Sequence, residues 1–598
     1  MTTSHSNGGL AVVSALASHG VDTVFGIPGT HNLEFYRHLH RCGIRAITPR
    51  HEQGAGYAAD AYYVVSGRPG VVLTTSGPGL TNVITAAATA YAESRPLLIL
   101  SPGVPTGLER ADIGMLHETK DSSGALSHLL VAAHRTRTAE GAAQAVADAF
   151  ALFASARPGP VHIEVPLDVL EGGWSGTAPV PLPHRPRPVD AAALDTAAEA
   201  LAGSVTPLII AGGGARGAAA QITELARLLD APVATTANGK GILDETDPLA
   251  VGANVRWPSV QQASREADVL LVIGTEIADS DLWGGLIGRR VEDASASATA
   301  TSDVSVGGAS TDGASPDESH GRPQTVIRCD IDPDQLHKNL RGHILLLGEA
   351  QACVDGVLSR LDSAAGDSRA RSRSGSADVA TSASEQASPG TATSAGTATS
   401  PGAVRAAALR DAVASEFDGT AIGARVTRLV QEAAGADVII AGDSSRVTYD
   451  GTVHALVART PDQLLYMPGY ATLGYGIPAA IGGRLAAPGR AVACIVGDGA
   501  AMFSIQDLAT AVELRLPIPF VIIDNGGYEE IEHQMLERDI EPFAVRLHRP
   551  DFALLAESMG ARGATIDAAD LEVLLPQHIR AALTADGPTV IHVRDESS

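Results

Sequence analysis

Cysteine is scarce. The chain has four (Cys42, Cys329, Cys353 and Cys494) in 598 residues, far apart and never in CxxC spacing. Such a set suggests neither a disulfide framework nor a thiolate zinc site, and it makes the cytosol the expected compartment. Basic residues are also in the minority, with 43 Lys and Arg against 68 Asp and Glu, a net charge of -25 and a pI near 5.1. No Lys/Arg block occurs, which argues against nucleic acid or anionic membrane as a general partner. Long apolar runs are missing too. None reaches 18 residues, and the N-terminal MTTSHSNGGLAVVSALASHG has neither a basic start nor a long apolar core. We therefore expect a soluble, intracellular protein without a membrane span or secretory signal.

What the sequence does have is length, enough for three or four domains at roughly 150 residues each. Two stretches lack the large apolar side chains that offset ordering entropy. They are DASASATATSDVSVGGASTDGASPDESHGR, about 293–322, and SAAGDSRARSRSGSADVATSASEQASPGTATSAGTATSPG, about 363–402. Both are expected to be disordered. They leave an N-terminal block (1–180) ending near VPLPHRPRPVD, a central block (190–362) and a C-terminal block (404–598).

Each block alternates uninterrupted apolar runs with helix-like stretches. VVLTT and LLILS flank such a stretch in the first block, PLIIAGGGA, ADVLLVIGTE and TVIRCDIDP recur in the second, and DVIIAGD, AVACIVGDG, PFVIIDNGG and PTVIHVR in the third. Apolar strands separated by helices imply parallel sheets covered on both faces. The expected fold class is α/β, as three doubly wound parallel-sheet domains.

In AVACIVGDGAAMFS an apolar strand ends in Gly-Asp-Gly, which puts Asp498 at the carboxyl end of a parallel strand, where open α/β sheets bind ligands. The helix SIQDLATAVELR and the strand PFVIID then return the chain to the same edge at Asn525. Carboxylate, amide and carbonyl oxygens suit Mg²⁺, which usually holds phosphate oxygens as well. A GDG triplet alone is commonly just a strand-to-helix turn.

The interval of 27 positions from Asp498 to Asn525 resembles the metal-diphosphate motif of thiamine diphosphate enzymes. The resemblance implies Asp498, Asn525 and the Gly527 carbonyl as Mg²⁺ ligands, with Gly499, Ala500 and Tyr528 beside the cofactor. It departs from the family's pattern at Asp524, where an asparagine is usual, adding negative charge near the metal. TPRHEQGAGYAADAYYVVSGRPGVVLTTSGPGLTN is similar to the pyrimidine-domain signature of the acetolactate synthase and 2-oxoacid decarboxylase superfamily. By that likeness Glu52 is the activating glutamate, hydrogen-bonded to the pyrimidine, and Thr75, Pro78 and Asn82 border the cofactor. GYATLGYGIPAAIGGRL resembles the segment that supports the bent cofactor, with Leu473 as the apolar wedge and the Ala471 carbonyl as an acceptor. IIAGDSSRVTYDG stands where relatives contact the diphosphate, so Ser444, Ser445 and Arg446 are candidates.

FGIPGTHNLEFYRHL and MLHETKDSSGAL, together with RHEQGAG, most resemble the 5-guanidino-2-oxopentanoate decarboxylases of this superfamily. Thr30 and His31 are then expected to face the thiazolium, and His117 to handle a proton or the substrate carboxylate. Glu529 or Glu530, in the first turn of a helix-like YEEIEHQMLERDIEPF, could meet a cationic substrate tail, Glu530 being the candidate carried forward. A solvated helix start reads the same way. The synthases carry FAD in their middle domain. Here GGGARG is most often a tight strand-to-helix turn, and FAD stays unassigned. Three readings stand: decarboxylase, carboligase, and non-catalytic cofactor-binding homologue. The family's arrangement implies a homodimer or homotetramer, with each cofactor between two chains.

Overall fold

The computed structural model describes residues 6–289, 324–374 and 399–595. Three six-stranded sheets, all parallel, succeed one another along the chain. The first holds β1 (Thr23–Gly26), β2 (Arg45–Ile47), β3 (Gly70–Leu73), β4 (Leu97–Gly103), β5 (Ala132–Arg135) and β6 (Pro160–Pro166), in the order 2-1-3-4-6-5. The second holds β7 (Leu208–Ala211), β8 (Val233–Thr235), β9 (Ala250–Gly252), β10 (Val269–Ile273), β11 (Thr325–Asp330) and β12 (Ile344–Leu347), in the order 12-11-10-7-8-9. The third holds β13 (Ile439–Ala441), β14 (Leu464–Leu465), β15 (Val492–Gly497), β16 (Pro519–Asp524), β17 (Arg562–Asp567) and β18 (Thr589–Arg594), in the order 14-13-15-16-18-17. The first and third sheets thus repeat one topology, while the second has the Rossmann order. Strands such as VACIVG and PFVIID are buried throughout because helices cover both faces of their sheet.

Each sheet has a switch point, between β1 and β3, β7 and β10, or β13 and β15. Connections leave such a pair in opposite directions, which opens a crevice at the carboxyl ends. The sequence motifs fall there.

The N- and C-terminal units share a core. Helix Glu52–Ser66 packs on helix Gly476–Ala486, and Tyr57, Ala58, Ala61, Ile477, Ala480 and Ile481 belong to one buried cluster. The helices approach so closely that a Cβ on Gly482 would lie 2.0 Å from the Ala58 carbonyl oxygen. A buried Ile in that seam contributes about 1.5–3 kcal/mol.

Two expectations change. The 363–402 tract was read as wholly disordered, but a helix runs Ala350–Ser374 and another, Pro401–Glu416, starts at its far end. Cys353, Val354, Val357 and Leu358 anchor the first helix in the central core, and extending an anchored helix costs little. Ser400 caps the second at the Ala403 amide, with Pro401 in its first turn. The rest of the tract, 375–398, and the 293–322 insert lie outside the described residues. Helix Pro401–Glu416 also packs with the central unit, Ala406 and Val413 sharing a core with Val251 and Val260. The central unit therefore extends past residue 404, to Glu416. Among the described residues no helix is long and apolar enough to cross a membrane.

Candidate functional site

The loops after β1 and β3 form the first crevice. Helix Glu52–Ser66 starts beside them, with His51 Nδ1 accepting from the Gln53 amide at 3.1 Å, and so puts Glu52 in its first turn. Glu52 is buried, and its Oε2 accepts a hydrogen bond from Asn82 Nδ2 at 2.9 Å. A Cβ on Gly79 would stand 2.9 Å from Thr75 Cγ2 and 3.2 Å from Glu52 Oε1, which places these three residues in contact. Thr75 Oγ1 is buried without a partner, and Pro78 and Thr30 lie exposed at the rim.

Gly77 has φ +59°, and a Cβ there would come within 2.7 Å of the His117 carbonyl oxygen, so this loop position needs glycine. His117 sits directly over it. Its own φ is +60°, which costs a non-glycine residue about 1–3 kcal/mol, and its Nδ1 is buried with no hydrogen-bond partner. The ring stands edge-on to His31, 5.3 Å between centroids, and His31 Nδ1 lies 2.6 Å from Ser76 Oγ. Burial, and then His117, push the His31 pKa down, with Glu171 opposing. His31 is thereby kept a neutral imidazole near pH 7.

The equivalent crevice of the third sheet holds the second group. Asp498 follows β15 and opens the short helix Asp498–Ala501, with Gly499 and Ala500 buried behind it. Its Oδ1 has no hydrogen-bond partner, and burial, then Asp524, push its pKa up to about 6. Asn525 follows β16, and its Nδ2 donates to Glu529 Oε2 at 2.5 Å. A Cβ on Gly499 would lie 3.0 Å from the Tyr528 ring and 3.3 Å from the Gly527 carbonyl oxygen, so both reach the Asp498 turn. Gly527 itself has φ +141°, with the Val545 carbonyl 2.1 Å from where a Cβ would be. Asp524, the departure from the family's pattern, is buried and partnered by His592 Nε2 at 2.9 Å and Arg549 Nη1 at 3.4 Å. Both of its oxygens are therefore partnered.

From the neighbouring loop, Ser445 adjoins Gly497 and keeps a buried Oγ without a partner. The Ser444 amide points instead to the Thr472 carbonyl, at 3.4 Å. Arg446 is held by three carboxylates: Asp450 at 3.3 Å, Glu529 at 3.4 Å and Glu530 at 3.7 Å. Glu530 also accepts from Gln534 at 2.7 Å, so it is not an unpaired carboxylate. Leu473 is half-buried, and the exposed Ala471 has φ +51°. Their segment is pinned by Tyr57 OH donating to Thr472 Oγ1 at 3.1 Å and by the Gly474 amide donating to Asp443 at 3.2 Å. Burial pushes the Asp443 pKa up to about 7.

A buried carboxylate oxygen with no partner, beside an amide side chain and a main-chain carbonyl, fits a hard cation. No group of three or more His, Cys, Asp or Glu suited to a metal exists among the described residues, and the set above has only one such side chain. The rest of the shell would have to come from diphosphate and water.

The structure thus gathers Thr75, Glu52, Asn82, His31 and His117 in one crevice and Ser445, Arg446, Asp498, Asn525, Gly527 and Glu530 in another. The hydrogen bonds and ring contacts of His31, Glu52 and His117 stay within the N-terminal unit. Ser76 and Asp450 touch the expected site residues but were not singled out for a role, and Glu529, named only as the alternative to Glu530 for a substrate tail, instead holds Asn525. Ser76 at least lies inside the TTSGPG motif, whereas an acid at a helix start, such as Glu529, carries no distinguishing signal.

The third crevice, in the central unit, opens on a cavity of about 630 Å³ lined by Gly213, Gly214, Arg216, Glu276, Asp281 and Asp330, among others. Among the described residues Arg216 donates to the Val64 carbonyl, at 2.8 Å, and could meet a phosphate. Yet burial, then Glu93 and Glu276, push the Asp281 carboxyl up to about 7, and burial raises Asp330 as well. This acidic lining does not single out FAD.

Residues 6–125, 194–286 and 448–593 match, in turn, the N-terminal TPP binding, central and C-terminal TPP binding domains of thiamine pyrophosphate enzymes. A probable 2-ketoarginine decarboxylase, AruI of Pseudomonas aeruginosa, is 36% identical over 592 residues, covering 98% of this chain and 93% of that protein. Probable acetolactate synthase large subunits of Methanococcus aeolicus and Methanocaldococcus jannaschii are 28% and 29% identical, each over 98% of this chain and 91% of their own.

Proposed function

Because the chain belongs to the thiamine pyrophosphate enzyme family, we propose that it decarboxylates a 2-oxo acid with a guanidinium tail, 5-guanidino-2-oxopentanoate, to 4-guanidinobutanal and CO₂. One observation carries the substrate: Asp450, Glu529 and Glu530 converge on the Arg446 guanidinium beside Asp498 and Asn525. Arg256 also pairs with Asp450, so three carboxylates around two cations leave an excess of one negative charge, and carboxylates bind guanidinium in bidentate geometry. The name of the Pseudomonas relative agrees with this choice.

Bound thiamine diphosphate would supply the electron sink for breaking the carbon-carbon bond. Asp498, the Asn525 amide oxygen and the Gly527 carbonyl would hold Mg²⁺, and Ser445 Oγ has a free position for a diphosphate oxygen. Asn82 fixes one oxygen of Glu52 and leaves the other toward the crevice, where it would bond the cofactor's pyrimidine. Leu473 would support the cofactor from below. His31 and His117, as neighbouring imidazoles at the rim, are placed to move the proton that the product carbon needs once CO₂ has left.

Glu52 and Asp498 lie in separate crevices, so the complete site is proposed to form between the N-terminal unit of one chain and the C-terminal unit of another. Met502 and Phe503, half exposed just after the Asp498 helix, suit burial in that contact. A monomer in sedimentation that keeps full activity would refute this dimer.

Incubation with thiamine diphosphate, Mg²⁺ and a panel of 2-oxo acids tests the reaction, with CO₂, aldehyde and acetolactate as readouts. The expected result is aldehyde and CO₂ from the guanidino acid. Efficient acetolactate formation from pyruvate, without turnover of the guanidino acid, would make the protein a carboligase. No product from any acid would support the non-catalytic reading.

A further inference from the structure

The geometry points to an ion-pair relay by which the central unit positions Asn525, an inference that rests on the reading of Asn525 as a metal ligand. The relay begins at Arg256, whose guanidinium is sandwiched between the rings of Trp257 (4.6 Å to the centroid) and Trp283 (4.5 Å). Arg256 Nη2 donates to Asp450 Oδ1 at 3.0 Å, crossing from the central to the C-terminal unit. The other oxygen of Asp450 takes Arg446 Nε at 3.3 Å. Arg446 Nη1 then donates to Glu529 Oε1 at 3.4 Å, and Glu529 Oε2 accepts Asn525 Nδ2 at 2.5 Å.

Signs alternate from Arg256 to Glu529, and both Asp450 and Glu529 spend their two oxygens on different partners. Displacing one member therefore pulls the next. The last link matters most for chemistry: a carboxamide donates only through nitrogen, so an Asn525 held by its Nδ2 must offer its oxygen elsewhere. That oxygen is the atom a hard cation needs. Glu529 is thus a positioning residue for the metal site, and Arg256, in its aromatic clamp, positions Glu529 from another domain. Filling the metal site should in turn disturb Arg256 between its two tryptophans. Trp174 is the chain's only other tryptophan.

The test is calorimetric titration of Mg²⁺ into full-length protein with thiamine diphosphate present, alongside tryptophan emission and thermal unfolding. We expect Glu529→Ala to raise the Mg²⁺ Kd about 10- to 100-fold, as is usual when a ligand's orienting partner is lost. Arg256→Gln should raise it by less and abolish the Mg²⁺-dependent change in emission, and Arg256→Lys should restore part of both. Combining Arg256→Gln with Glu529→Ala should cost less than the product of the single effects, because both cut one chain. Arg425→Gln, which breaks an ion pair with Glu572 outside the relay, should leave the Kd unchanged. Strictly multiplicative effects, or a wild-type Kd in folded Glu529→Ala, would overturn the relay. Wild-type Mg²⁺ affinity in Asn525→Ala would instead overturn the metal reading beneath it.

Discussion

Arg95 Nη1 lies 2.6 Å from Asp60 Oδ2, and both side chains are buried. The same guanidinium donates to the Tyr466 carbonyl at 2.7 Å and to Asn238 Oδ1 at 2.8 Å, so one arginine of the N-terminal unit ties all three units together. Two residues earlier, Glu93 accepts from Asn238 at 2.6 Å and from the Gly469 amide at 2.7 Å. Removing one partner of a buried ion pair strands the other charge.

Arg95→Ala is accordingly expected to lower stability by about 3–5 kcal/mol. Because its contacts span the units, the loss should also split unfolding into more than one transition. Thermal melts followed by circular dichroism and by tryptophan emission check this. Coincident melts at the wild-type midpoint would show that the units are held together elsewhere.

Glu52→Gln should keep the hydrogen bond with Asn82 while losing the carboxyl that we propose activates the cofactor. Single acid-base groups contribute about 10²- to 10⁴-fold, and kcat should fall within that range. Cofactor affinity, which we propose is set mainly by the Asp498 crevice, should change little. Hydrogen-deuterium exchange at the thiazolium carbon, measured by NMR, isolates the step from later ones. Exchange at the wild-type rate would take Glu52 out of cofactor activation.

Asp507 gives a pH prediction. It is fully buried, its Oδ1 accepts from the Arg50 amide at 2.7 Å, and its Oδ2 has no partner. Burial pushes its pKa up to about 6, from an ordinary value of 3.8. Between those values the unfolded chain has released a proton that the folded chain still holds, so stability falls as pH rises from about 4 to 6 and is level above. A shift of this size corresponds to at most about 3 kcal/mol. Asp507→Asn cannot titrate and should escape the fall. Its Tm relative to wild type should be higher at pH 7.5 than at pH 4.5, and an equal difference at both would assign the raised pKa no role in stability.

The long apolar strands were legible because burial on both faces leaves an unbroken apolar run, as in VACIVG or PFVIID. β14, of two buried residues, is too short to read as a run, and β17, RGATID, is an edge strand that buries little of itself. Asp498 and Asn525 could be found because a motif fixes their spacing. The contact of His117 with His31 joins loops 86 positions apart through a φ of +60° and a glycine beneath it, which no local pattern encodes. Helix Ala350–Ser374 was misjudged for a related reason. Its last residues have the composition of a disordered tract, but the helix is anchored by Val354, Val357 and Leu358 upstream.

Glu530 carries the substrate prediction. Its Oε1 is taken by Gln534, while its Oε2 lies 3.7 Å from Arg446, longer than Arg446's approach to Glu529 or Asp450. Of the three carboxylates around Arg446, it is thus the least committed to its partner. A second guanidinium entering the crevice would compete with Arg446 most easily there. Hydrogen bonds to charged groups contribute about 1.5–3 kcal/mol, and partial exposure favours the lower end. Wild-type protein should turn over 5-guanidino-2-oxopentanoate with a higher kcat/KM than pyruvate, and Glu530→Gln should narrow that gap about tenfold. The loss should appear in the guanidino acid alone, since pyruvate has no tail to bind. Equal losses for both substrates would mean that Glu530 acts through Arg446 on the cofactor site, and an unchanged gap would place substrate recognition on other residues.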